Sequence, residues 1–169
     1  MEIRDATLAD WPGIWPFFSE IVQEGETYAY DPAMTSDEAR AMWLEAPART
    51  VVAVDGDGDG DGDGETVLGS ATMGPNRPGN GAHVATASFM VSRAARGRGT
   101  GRALGEEVIR WATASGFRSI QFNAVVETNT AAVTLWRSLG FEIIGTVPEA
   151  FAHPRDGYVG LHVMHQRLP

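Results

Sequence analysis

The 169-residue chain is 43% hydrophobic, carries a formal net charge of −9 and has no cysteine. That length suits one domain with a sizeable core. Disulfides, a thiol nucleophile and a cysteine-based metal site are excluded, and the acidic balance argues against a general nucleic-acid binder.

Residues 2–6 suit a short first strand. Thr7 and Asp10 have capping-box spacing for a helix start. Pro16 is expected to interrupt that helix, leaving its main body near 16–23 and its end at Gly25. The link over 26–32 holds Tyr28 and Tyr30, which either wall a substrate site or simply pack on the sheet. Thr35-Ser36-Asp37-Glu38 is a capping box for a second helix carrying Ala39, Met42 and Trp43 and ending near Pro47. A strand over 49–54 leads into five Asp-Gly repeats at 55–64, which have little to bury and are expected to form a mobile hairpin tip. They match neither the EF-hand loop nor the nonapeptide calcium repeat.

A strand resumes over 66–72, followed by a loop over 75–81 and a strand over 83–91. A helix over 103–115 carries Leu104, Val108, Trp111 and Ala112 on one face, with Gly116 at its end. Then come a strand over 118–126, a short helix over 130–139 closed by Gly140, a strand over 141–147, a loop over 148–157 and an alternating strand over 158–168. The order β-α-α-β-β-β-α-β-α-β-β describes an α+β or mixed α/β chain built on one sheet.

Removing Asp55, Asp57, Asp59, Asp61 and Asp63 raises the formal charge from −9 to −4, while Arg93, Arg96, Arg98 and Arg102 fall within ten residues. An acidic chain with one basic patch suits a small polyanionic ligand. The patch lies between a strand and a helix and contains Gly97, Gly99 and Gly101. Glycines admit positive φ, and the N–H groups of a helix start attract anions. The segment reads as a pyrophosphate cradle. Its spacing does not fit the dinucleotide fingerprint, because Arg102 stands at the third glycine position. It also lacks the Gly-Lys-Ser/Thr ending of a Walker A loop.

Arg96-Gly97-Arg98-Gly99-Thr100-Gly101 resembles the [QR]-x-x-G-x-[GA] acyl-CoA loop of the GCN5-related N-acetyltransferases. Two further stretches extend the resemblance. Ser88-Phe89-Met90-Val91 sits where that family has a splayed strand whose backbone binds the pantetheine arm and shapes the acetyl carbonyl site. The run from Asn129 to Phe141 resembles the family's N-x-x-A-x-x-L-[YW]-x-x-x-G-F segment, whose Asn contacts the cofactor. The resemblance is strong over 83–169 and rests on element order over 1–75. It implies a mixed, mostly antiparallel sheet flanked by helices in a single N-acetyltransferase domain, with acetyl-CoA as co-substrate and a homodimer as a common assembly. The implied cofactor-binding residues are Phe89, Met90, Val91, Arg96, Gly97, Arg98, Gly99, Thr100, Gly101, Arg102, Asn129 and Trp136. Many members carry a Tyr acid at the position of Trp136. Indole is a donor only, so that role is vacant here and Trp136 is expected to be core.

Residues 121–129 resemble the branch that acetylates small amino acids and analogues, which includes enzymes acting on proline analogues and, more loosely, phosphinothricin acetyltransferases. The resemblance implies that Asn123 helps hold a substrate carboxylate, with Thr86 where that branch has a second Asn. Tyr28 and Tyr30 complete the substrate candidates. Asn123 and Glu127 are the catalytic candidates; Glu127, His83, His153 and a water relay are alternative bases. The four histidines lack metal-binding spacing, and His162 and His165 point to opposite strand faces. A polyamine, aminoglycoside or peptide N-terminus is an alternative acceptor. A non-catalytic acyl-CoA-binding regulatory domain is the reading from another class. Residues 1–5 lack a signal-peptide pattern and no apolar run approaches the roughly 20 residues of a membrane span, so a cytoplasmic protein without a membrane partner is expected.

Overall fold

A computed structural model describes residues 1–56 and 65–169. The expected mobile loop at 55–64 therefore falls almost wholly outside the described residues. The elements are β1 (Glu2–Asp5), α1 (Trp11–Glu24), α2 (Ser36–Arg40), β2 (Arg49–Asp55), β3 (Thr66–Pro75), β4 (Val84–Val91), α3 (Thr100–Ala114), β5 (Ser119–Val126), α4 (Thr130–Ser138), β6 (Glu142–His153) and β7 (Gly157–Arg167). The order matches the sequence reading. The strands form one sheet in the order β1-β2-β3-β4-β5-β7-β6. All neighbours run antiparallel except β4 and β5. This is an α+β fold built on a mixed, mostly antiparallel sheet, with helices on both faces.

Strand alternation separates two cores. Val51 and Ala53 of β2 face one side, with Leu104, Val108 and Ala112 of α3 and Trp136 of α4. Val52 and Val54 face the other, with Trp11, Ile14, Phe17 and Phe18 of α1 and Ala39 and Trp43 of the second helical segment. The buried Trp43 indole donates to Ser70 Oγ at 3.0 Å, and that hydroxyl donates to the Val51 carbonyl at 2.8 Å. A polar chain thus ties the second core to two central strands at no cost in unpaired groups.

Two boundaries differ from expectation. α1 runs unbroken through Pro16. The lost N–H of Pro16 removes one internal bond, but a face of Trp11, Ile14, Phe17, Phe18 and Val22, all buried, holds the helix on the sheet. Packing outweighs the local defect. β6 is also longer than the predicted strand at 141–147 and takes in most of the expected loop. Pro148 lies within a register irregularity between Val147 and Phe151, and Glu149 there has φ 51°. A proline is tolerated at a bulge of an edge strand, where no ladder bond is lost. No described helix is long and apolar enough to cross a membrane.

Gly69 sits in β3 under the start of α3. A Cβ there would lie 2.9 Å from the Met90 carbonyl oxygen and 3.2 Å from both Thr100 Cγ2 and Leu104 Cδ1. Gly69→Ala is expected to destabilise the fold by about 1–3 kcal/mol, the usual cost of overpacking, read as a lower urea midpoint at constant m.

Candidate active site

The site begins with how β4 and β5 part. Their parallel pairing holds only at Val84↔Ser119 and Ala85↔Ile120. Beyond Ala85, β4 stays paired to β3 up to Val91. β5 instead follows β7, with a register irregularity between Phe122 and Val125. The two strands therefore open into a wedge along one edge of β4. Unpaired strand groups need other partners. At Phe89 both find one: its N–H donates to the Tyr28 hydroxyl at 2.9 Å, and that hydroxyl donates to its carbonyl at 2.7 Å.

The anion cradle lies at the far end of β4. A 3-10 turn over Arg93–Ala95 anchors through buried Ala95. Gly97 and Gly99 then adopt φ of 76° and 80°, a conformation that favours glycine. α3 begins at Thr100, and its first internal acceptor bond near the cradle runs from Ala103 N–H to the Gly99 carbonyl at 3.0 Å. The N–H groups of Thr100, Gly101 and Arg102 thus lack intrahelical acceptors. Thr100 Oγ1 is buried at the same helix start without a hydrogen-bond partner. These donors suit an anion.

The arginines are not equivalent. Arg93 pairs with Glu20 and Glu24, Arg98 with Asp55, and Arg102 with Glu106 at 3.7 Å while donating to Ser138 Oγ. Arg98 holds the Asp55 carboxyl below its ordinary range by a direct hydrogen bond. Arg96 is exposed and makes no ion pair among the described residues. Among the described residues its charge is the one in the loop without an ion-pair partner.

On the α1/α2 face lies a polar wall. Met90 belongs to that core, so alternation puts Thr86 and Ser88 on the same side. Tyr28 and Tyr30 stack there with centroids 5.0 Å apart, and Tyr30 stacks in turn on Phe18 at 6.2 Å. Burial pushes both phenols up, with Ser88 opposing that shift by a hydrogen bond, so both hydroxyls are protonated at neutral pH. Asn123, in the irregular part of β5, forms a reciprocal amide pair with Asn76. Its Nδ2 donates to Asn76 Oδ1 at 2.6 Å, and its Oδ1 accepts from Asn76 Nδ2 at 3.3 Å and from Gln121 Nε2 at 2.8 Å. The amide facing Asn123 comes from the β3–β4 connection, not from Thr86. Arg77 beside it donates to the Asn76 carbonyl at 3.1 Å and is otherwise unpaired among the described residues. Sequence reading missed Asn76 and Arg77. Their only signal was polarity in a loop.

Other predicted residues are placed as follows. Asn129 caps α4, its Oδ1 accepting from Ala132 N–H at 3.1 Å; its NH2 makes no hydrogen bond among the described residues. Trp136 is buried against Phe89 at 4.5 Å and Phe122 at 5.0 Å. Glu127 accepts from the Gly160 N–H and so ties β5 to β7. His153 Nδ1 lies 3.1–3.3 Å from Asp156 Oδ2 and from the N–H groups of Arg155 and Asp156, locking the β6–β7 turn. His83 is exposed at the start of β4. None of these three candidate bases bonds the Tyr28–Phe89 or Asn76–Asn123 groups. Among the described residues no cluster of three or more His, Asp or Glu is placed to hold a metal.

A family model described as the acetyltransferase (GNAT) family matches residues 11–141. A solved GCN5-related N-acetyltransferase from Kribbella flavida is 66% identical, with a TM-score of 0.91 over 99% of this chain and 97% of that one. An L-methionine sulfoximine/L-methionine sulfone acetyltransferase from Pseudomonas paraeruginosa is 36% identical across 87% of this chain and 83% of its own. A solved phosphinothricin acetyltransferase from Sinorhizobium meliloti, in complex with acetyl-CoA, is 25% identical, with a TM-score of 0.84 over 99% of this chain and 88% of that one.

Charge compensation ranks the arginines. Arg96→Glu is expected to weaken acetyl-CoA binding by roughly tenfold or more, the scale of a lost charge-assisted bond. Arg98→Glu, which loses an arginine already bound to Asp55, is expected to cost less. Titration calorimetry at two salt concentrations checks the order; equal losses would place the pyrophosphate elsewhere.

Proposed function

The chain belongs to the acetyltransferase (GNAT) family and is an acetyl-CoA-dependent acetyltransferase; on that premise we propose that it transfers acetyl directly to the amine of a small amino acid or close analogue. The observation that carries the reading is Arg77, which makes no ion pair among the described residues and stands beside the reciprocal Asn76–Asn123 amide pair. A guanidinium and two carboxamides are donors suited to an acceptor's carboxylate. The two relatives named for amino-acid analogues support the same substrate class.

Acetyl-CoA supplies an acetyl thioester already activated toward amines. The protein's part is to bind, align and keep dry. The α3 N-terminus and Arg96 hold the pyrophosphate, far from the reacting carbon, so that binding energy is converted into position. The wedge edge of β4 receives the pantetheine arm, with the Asn129 NH2 available beside it. Tyr28, Tyr30, Thr86 and Asn123 line the acceptor side. The amine gives up its proton to water ordered along that polar wall, since no candidate carboxylate or imidazole bonds into it.

β6 is the outer strand of the sheet, and Ile144, Val147 and Tyr158 are 60%, 52% and 75% exposed along the β6–β7 hairpin. An apolar edge of that length is a pairing surface, and we assign it to a second copy of this chain. Light scattering should then give twice the monomer mass, reverting to one with Val147→Lys.

The acceptor class is tested by following thiol release from acetyl-CoA over amino acids, methionine sulfone, polyamines, aminoglycosides and a peptide N-terminus. Turnover is expected to concentrate on amines that bear an α-carboxylate. Arg77→Ala should raise KM for the best acceptor by about tenfold while KM for acetyl-CoA stays put. Preference for polyamines, or an Arg77→Ala enzyme with unchanged acceptor KM, would sink the amino-acid reading.

A further inference from the structure

Resting on that placement of the thioester arm, we propose that the Tyr28 hydroxyl is a second hydrogen-bond donor to the acetyl carbonyl oxygen, working with the Phe89 N–H.

The geometry is specific. Within the wedge, one hydroxyl holds both the N–H and the carbonyl of Phe89, at 2.9 and 2.7 Å. It does for Phe89 what a neighbouring strand would do, and so stands on the edge that β5 leaves open. An acyl oxygen that takes the Phe89 N–H must come within reach of this hydroxyl. A tyrosine O–H has one proton and can turn it. In the resting fold that proton is on the Phe89 carbonyl. With an acyl oxygen sharing the N–H with the Tyr28 oxygen in a three-centre bond, the same proton turns from the Phe89 carbonyl to that oxygen.

The ring is built to stay. Tyr28 stacks on Tyr30 at an interplanar angle of 19°, and Tyr30 on Phe18 at 6°. Phe18 is itself 1% exposed and meets Trp43 edge-on at 5.5 Å. The hydroxyl therefore needs only rotation about its C–O bond, not movement of the side chain, which is what a preorganised donor requires. The same burial that pushes its pKa up keeps it a neutral donor at working pH. Trp136, at the position where the family resemblance places a tyrosine, cannot serve, because its ring is packed in the opposite core against Phe122 and Phe89.

In the reaction, the amine nitrogen bonds the acetyl carbon and the carbon–sulfur bond breaks. The thiolate leaves with the electron pair and takes a proton from solvent, and the amine's proton passes to water. Negative charge rises on the carbonyl oxygen and falls again. Two donors facing that oxygen stabilise the charge where it develops; removing one such donor costs roughly 10²–10³ in kcat.

The test uses the full chain and acetyl-CoA labelled with ¹³C at the carbonyl. Infrared difference spectra record the bound C=O stretch, and steady-state kinetics use the best acceptor. Tyr28→Phe is expected to move the band to higher wavenumber and to lower kcat about 100-fold, with KM for acetyl-CoA within about threefold. Tyr28→3-fluorotyrosine keeps the shape and strengthens the donor, so its band should move to lower wavenumber; this variant decides the matter if Tyr28→Phe does not fold. Tyr30→Phe, which removes a hydroxyl that does not touch Phe89, should leave the band in place. A band that ignores both Tyr28 variants, or one that Tyr30→Phe moves as far, overturns the proposal while leaving acetyl transfer intact. A wild-type chain that fails to bind acetyl-CoA in a thermal-shift assay overturns the underlying reading as well.

Discussion

Everything at the site depends on a short parallel ladder. β4 and β5 share two registered pairs, Val84↔Ser119 and Ala85↔Ile120, and then separate. Separation is possible because each strand has another partner: β3 holds β4 to its end, and β7 holds β5 past an irregularity at Asn123 and Ala124. The wedge is thus paid for by two continuous antiparallel ladders. It leaves the edge of β4 unpaired by β5 beyond Ala85, and the irregularity turns Asn123 out of the ladder toward Asn76. On the proposed reading, one topological event supplies both sides of the reaction.

The two faces of the sheet then divide the work. The α3/α4 face is a dry aromatic core in which Phe122, Trp136 and Phe141 pack within 4.3–6.3 Å of one another. It fixes the start of α3 relative to β4, and with it the cradle. The α1/α2 face carries the Tyr28 and Tyr30 hydroxyls. Its Tyr28–Tyr30 link is also tied to the far hairpin, because Glu26 pairs with Arg155 at 2.6 Å in the β6–β7 turn that His153 locks. An exposed pair is worth little alone, but here it joins the Tyr28–Tyr30 link to the β6–β7 turn.

The cradle and the element order were legible because both are local. Glycines at 97 and 99 take positive φ, and the alternation of β2 and β4 separates two cores whatever their partners are. What was not legible is non-local. Pro16 argued for a broken helix, yet five buried side chains over 11–22 hold it straight. Pro148 argued for a loop, yet an edge bulge absorbs it. The equal-looking arginines of the loop differ only in partners from α1, the end of β2 and α3 itself. Asn76, Arg77 and the Tyr28–Phe89 pair, 61 residues apart, required the fold to bring them together.

That pair also bears on why Trp can stand at position 136. A tyrosine there would have to place its hydroxyl among Phe89, Phe122 and Phe141, where a polar group needs a partner to offset its burial. Gly105 leaves room for the larger indole, whose Cζ3 would lie 3.0 Å from a Cβ at that position. The aromatic core is therefore closed over Trp136, and a hydroxyl that acts in the wedge has to enter from the opposite face. The α1–α2 link is the segment that reaches it from there, and its Tyr28 hydroxyl meets the one residue of β4, Phe89, whose ring belongs to one core and whose backbone opens to the other.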